Sequence, residues 1–197
     1  MSPKQLRGAE TADRLLDAAL DVYADAGEQG VTVSALTRTS GVSMGSLYHH
    51  FGSVDGLMRE LLLRWLGRLL DELTTALDRS RTPRTGIRAI VETYLGFVEQ
   101  HPDAARLLHS SYADRLTMEQ AKQLRDTQEA RLSPLSAWLS RHIDSGTIAP
   151  LPAPLVEALV LGPVIAVARG RLAGVYELDL DHAARTLTER IWRSVAP

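Results

Sequence analysis

The side chains able to do chemistry fall into four sets. Histidines at positions 49, 50, 101, 109, 142 and 182 could transfer protons or hold a metal. None sits in an HExxH or ExxH frame, the spacings that bring ligands to one face of a helix. The chain has no cysteine, which excludes disulfides and thiolate metal sites. Ser133 and the other serines lack the glycine frame of a nucleophile elbow. Aspartates and glutamates are scattered at the spacing of solvated helix faces. This reading expects no catalytic residue, no metal and no cofactor. The last set differs. Ser43-Met44-Gly45-Ser46-Leu47-Tyr48-His49-His50 gathers hydroxyls, a glycine, a thioether, a phenol and imidazoles in one short run. Such a run can hydrogen-bond phosphates and approach base edges closely.

Those residues need a scaffold, and the flanking sequence supplies one. Between Glu10 and Ala26, apolar residues at Leu15, Leu16, Ala19, Leu20, Tyr23 and Ala26 mark one helical face. Thr32 can cap a short helix from Val33 to Thr39, and Gly41 suits the tight turn after it. Ser43 can cap a second from Met44 to His50, ended by Gly52. Ser53 can then cap a long helix to about Asp78. Val33, Leu36, Val42, Leu47 and Phe51 would clamp the two short helices onto the first. This is the layout of a helix-turn-helix.

Further helices are expected from Arg84 to Gln100, Pro102 to Ser111, Met118 to Asp144, Pro154 to Leu172 and His182 to Val195. Thr117 and Gln120 have capping-box spacing, Pro134 should kink or divide its helix, and Asp181 can cap the last one. Gly162-Pro163 should kink the helix that contains it. The fold class is all-α, with residues 1–52 as a three-helix head and residues 53–197 as a larger domain reached through the long helix. Residues Leu155 to Ala168 form the longest apolar stretch, interrupted by Glu157 and Pro163 and too short to span a bilayer. A buried interface helix is the reading. Met1 to Glu10 lacks the apolar run of a signal peptide, so a cytoplasmic location is expected.

The pattern Thr32-Val33, Gly41-Val42-Ser43, Gly45, Leu47-Tyr48 and Phe51 resembles the DNA-binding signature of the tetracycline-repressor (TetR) family. It covers the first quarter to third of the chain; the remainder matches in architecture only. The resemblance implies a homodimeric, ligand-responsive regulator, usually a repressor, that leaves a palindromic double-stranded DNA operator when an effector binds. Thr32, Ser43 and Tyr48 would contact phosphates, with His49 and His50 beside them and Arg38 as a basic contact. Met44 and Ser46 would face base edges across Gly45. Tyr48 and His50 could instead simply pack on neighbouring helices. Val54 stands where family members often carry a phosphate-binding lysine. Thr37 and Ser40 replace common alanines, which is tolerable if their hydroxyls bond backbone carbonyls.

Net charge is only −2, so any attraction to DNA must be local. Residues 1–60 hold more acids than bases. Asp13, Asp17, Asp21 and Asp25 are expected to face away from DNA, leaving Lys4, Arg7 and Arg38 as contacts. The resemblance also places an effector cavity in the larger domain. Tyr94, Phe97, Leu108, Tyr112, Leu135 and Trp138 are its candidate lining, with His109 and His142 as polar anchors; core packing is the plainer role for each. A hydrophobic or aromatic small molecule is the expected effector. Leu155, Leu159 and Val167, with Leu187, Ile191 and Val195, are assigned to a dimer interface. The competing readings are a small helical enzyme and a helical protein-interaction module.

Overall fold

A computed structural model describes the backbone of residues 3–175 and 177–197, and the side chains of all of these except residues 3–7, 120, 121 and 124. Every regular element among the described residues is a helix. They are α1 (Pro3–Gly30), α2 (Val33–Ser40), α3 (Met44–Phe51), α4 (Val54–Asp78), α5 (Pro83–Gln100), α6 (Pro102–Leu108), α7 (Ser111–Asp144), α8 (Ala153–Leu172) and α9 (Leu180–Val195). The all-α expectation holds.

Local chemistry sets the boundaries. The hydroxyls of Thr32, Ser43, Ser53, Thr82 and Ser110 each accept from the backbone N–H three residues on, satisfying donors that a helix start leaves free. Gly27 breaks the regularity of α1 with a positive φ of 67°.

Several boundaries differ from expectation, and neither Pro134 nor Pro163 divides its helix. Helix α7 begins at Ser111, capped by Ser110, so Thr117 lies inside it and no capping box is used there. It also runs through Pro134 undivided, while α4 and α8 pack along its length. Helix α8 likewise continues through Gly162-Pro163. Helix α9 starts earlier because Asp179, not Asp181, accepts from the N–H groups of Asp181 and His182.

The interior has two apolar clusters. The head cluster joins Leu15, Leu16, Ala19, Leu36, Val42 and Leu47 to Leu57, Leu61 and Leu62 of α4. It also takes in Leu107 of α6 and Tyr112, Ala113 and Leu116 of α7. The body cluster runs from Leu69, Leu70 and Leu73 through α5 to α8 and α9. Helix α4 therefore serves both, its first half in one and its second half in the other.

Helix α8 spans 20 residues and is long and apolar enough to cross a membrane by length and composition alone, which corrects the shorter estimate from sequence. Val156, Val160, Val164 and Ala168 form one buried face of it, at helical spacing, inside the body cluster. Arg169 and Arg171 occupy its last turn.

Candidate nucleic-acid interface

The two short helices are fixed from inside. Leu36 and Leu47 are wholly buried and Val42 nearly so, which locks α2 and α3 against α1 and α4. Between them, Gly41 takes the left-handed conformation (φ 65°), and its N–H donates to the Thr37 carbonyl at 3.0 Å. The Ser40 hydroxyl donates to the Leu36 carbonyl at 2.6 Å and accepts from the Val42 N–H at 3.1 Å. The Thr37 hydroxyl donates to the Ser34 carbonyl at 3.2 Å. The Thr37 and Ser40 hydroxyls are therefore both satisfied within the motif.

Sequence reasoning missed Arg14. Its guanidinium reaches across from α1 and donates to the Ser40 carbonyl at 2.6 Å, closing the turn from outside. It also lies where a Cβ at position 41 would project. A lone arginine on an exposed helix face carries no signal of this in one sequence.

Anchoring Leu47 turns the opposite face of α3 to solvent. Met44 is 57% exposed and Tyr48 46%. Ser43, Gly45, His49 and His50 are exposed too, and Ser46 is half-buried. The Ser43 hydroxyl accepts from the Ser46 N–H at 3.2 Å and lies 3.1 Å from the Ser46 hydroxyl. Thr32 and Arg38 are exposed on α2. The side chains of Lys4 and Arg7 lie outside the described residues. Asp13 and Asp17 lean towards α4, where Arg64 pairs with Asp17 at 2.9 Å and sits 3.9 Å from Asp13.

The candidate effector residues do not converge. Tyr94 and Phe97 are buried, and Phe97 packs edge-on against Trp65 and His101. The Tyr94 hydroxyl sits 3.2 Å from His109 Nε2. Burial, then the Arg169 guanidinium, pushes His109 down to about 4, with Asp114 opposing; burial raises Tyr94 to about 12 against the pull of Arg169. Tyr112 belongs to the head cluster instead, because its hydroxyl donates to Asp55 in the first turn of α4 at 3.2 Å. Burial and the Asp55 carboxylate hold that phenol well above its ordinary range. Leu108 packs against both clusters.

Leu135 and Trp138 do line a cavity. It has a volume of about 280 Å³ and lies between α4, α5, α7 and α8, with Leu70, Leu73, Ile90, Leu132, Val156 and Val160 in its wall. Arg125, Glu129 and Glu157 also border it. His142 is not in this lining; its ring packs edge-on against Trp138 at 4.7 Å. Burial, then Arg141, lowers its pKa.

The six interface candidates also divide. Ile191 and Val195 are buried in the body cluster of their own chain, against α5, so they cannot meet a partner. Leu159, Val167 and Leu187 are half-buried at the edge of that cluster, and Leu155 is 46% exposed.

Residues 15–61 match the family model of bacterial regulatory proteins, tetR family. The helix-turn-helix regulator BetI of Agrobacterium fabrum is 30% identical over 151 residues, 75% of this chain and 73% of that protein. The chain belongs to the TetR family. BetI of Rhizobium meliloti is 31% identical over 110 residues, 56% of this chain. That match spans 54% of the relative, and the chain likewise spans about half of several curated relatives in the family. Among solved TetR-family structures, a regulator from Marinobacter aquaeolei superposes with a TM-score of 0.79 at 21% identity, covering 98% of both chains. FadR of Bacillus subtilis, solved with stearoyl-CoA, gives a TM-score of 0.72 at 18% identity over 90% of this chain and 96% of its own. The fold likeness therefore extends to the body, where the sequences diverge.

Proposed function

We propose that this TetR-family chain is a dimeric transcriptional repressor that binds a palindromic operator through α3 and releases it when a hydrophobic small molecule enters the body. The observation that carries the reading is the outer face of α3. An aliphatic anchor at Leu47 holds a solvent-exposed surface of hydroxyl, glycine, thioether, phenol and imidazole groups at a helix start. A helix so placed enters a major groove with its first residues towards the bases. Thr32, Ser43 and Tyr48 position it on phosphates, Arg38 adds one cationic contact, and Met44 and Ser46 read base edges across Gly45. His49 and His50 flank the backbone contact.

Dimer formation rests on α8. Of this apolar helix, only Val156, Val160, Val164 and Ala168 are buried within one chain. Leu155 stands on the part left uncovered, while Leu159, Val167 and Leu187 are half-buried at the edge of the body cluster. A two-fold operator requires two recognition helices about one helical turn of DNA apart, and a second copy of this chain supplies the other. Residues 1–52 carry DNA contact, and residues 53–197 carry sensing and assembly. The family's regulators work on DNA, which fits a cytoplasmic protein.

The apolar cavity beside Leu135 and Trp138 is the effector site. Its aliphatic wall favours a hydrophobic body, as does the stearoyl-CoA bound to the similarly folded FadR of Bacillus subtilis. Selection of DNA fragments by the purified protein, followed by titration of the recovered sequence, tests the reading. A symmetric site bound tightly by two chains is the expected result. Binding that stays uniform across all duplexes would overturn it.

A further inference from the structure

Trp138 lies at the junction of two spaces. One is the apolar cavity of about 280 Å³ between α4, α5, α7 and α8. The other, of about 200 Å³, is bordered by Thr74, Asp78, Ser80 and Arg141 and is polar in character. Leu77, Leu135 and Trp138 line both. The indole is held. Its six-membered ring lies on Gly86 of α5, where even one added methyl would collide with it. The His142 ring backs it edge-on, and His142 Nδ1 is itself fixed 2.9 Å from the Thr147 hydroxyl. A planar ring pinned on two sides is a wall, because no small rotation moves it without displacing α5 or His142.

We infer that Trp138 is the specificity-determining partition of the effector site, setting the length of apolar ligand the cavity accepts and shutting it off from the polar space beyond. This rests on the cavity being the effector site. At about 280 Å³ the space lies near the lower end of small-molecule sites, roughly 300 Å³. The partition thus selects short apolar bodies. Without it, a longer chain reaches Thr74, Asp78 and Arg141, and a ligand with a polar far end becomes acceptable.

Straight-chain primary alcohols from butanol to tetradecanol, added singly to the full chain, provide the test, read as a rise in melting temperature. The wild type is stabilised up to a cut-off length and not beyond it. In W138A the cut-off moves to longer alcohols, while the shortest bind less tightly for want of the ring. W138F keeps an aromatic body and gives an intermediate cut-off, which preserves the test should W138A fold poorly. G86A retains the tryptophan but forces its ring aside, and should lengthen the cut-off too. An unchanged cut-off in W138F and G86A, with alcohols still bound, would overturn the partition and leave the effector site standing. No stabilisation of the wild type by any alcohol would overturn both.

Discussion

Helices α3 and α8 both leave large apolar side chains in solvent, yet they are built for different neighbours. On α3 the exposed Met44 and Tyr48 are interleaved with serine, glycine and histidine, and one buried leucine holds the helix. On α8 the exposed Leu155 belongs to a helix that is aliphatic on nearly every side, with a buried ridge of three valines and Ala168. A surface that mixes polar and apolar groups can exchange water for phosphates and bases without leaving donors unpaired. A wholly aliphatic surface gains only by meeting another such surface. Exposure alone does not define an interface; the chemistry between the exposed residues does.

The largest effect should come from confusing a core stripe with an interface. Ile191→Asp puts an unpaired charge inside the body and should cost about 3–5 kcal/mol, leaving little folded protein in urea or thermal unfolding. Leu155→Glu sharpens the comparison. It should weaken the dimer by about 2 kcal/mol or more while circular dichroism stays helical, and sedimentation would show monomer. An intact dimer would remove α8 from the interface.

Acid should act on the body through His109, which faces Arg169 in the last turn of α8. Its pKa lies at about 4 in the folded chain against an ordinary 6.5. Above pH 6.5 neither state binds the proton and the stability is whole. Below that the unfolded chain takes up a proton the folded chain refuses, so stability falls between pH 6.5 and about 4 and then levels off. After discounting for partial exposure, the loss is about 2 kcal/mol. Denaturant titrations across that range should show the slope, and His109→Gln should flatten it.

The smallest effects divide the labour on α3. Tyr48→Phe should weaken every duplex alike by about 1 kcal/mol, since a phosphate bond carries no sequence information. Ser46→Ala should weaken the best site and spare mismatched ones, narrowing a discrimination of about 1–3 kcal/mol per base pair. Arg38→Ala should flatten the salt dependence by about one phosphate. Matched and mismatched duplexes titrated at several salt concentrations separate the three. A change of base preference in Tyr48→Phe with a uniform loss in Ser46→Ala would mean that α3 sits rotated in the groove.

The head was legible because its signals are local. A capping hydroxyl, a glycine in a tight turn and a buried leucine four residues on act within one or two helical turns, so Thr32, Gly41, Ser43 and Leu47 could be read in order. The body was not, because periodicity shows that a stripe is buried but not against what. The α9 stripe ending in Ile191 and Val195 reads equally well as a partner surface; only the packing of α5 assigns it inward. Tyr112 looks like a cavity aromatic until α7 is seen to begin at Ser111, which carries it to Asp55. Leu135 and Trp138 reach the cavity, while Tyr94 and His109 spend their polar atoms on each other. Arg14 gave no warning.

The most direct test uses one symmetric duplex recovered by selection and its isolated half-site, titrated with wild type and Leu155→Glu. The account predicts that the wild type binds the full site as two chains and far more tightly than the half-site. It predicts that Leu155→Glu loses that advantage yet binds the half-site as the wild type does. Equal affinity of both proteins for the full site, or loss of half-site binding in folded Leu155→Glu, would contradict the assignment of reading to α3 and pairing to α8.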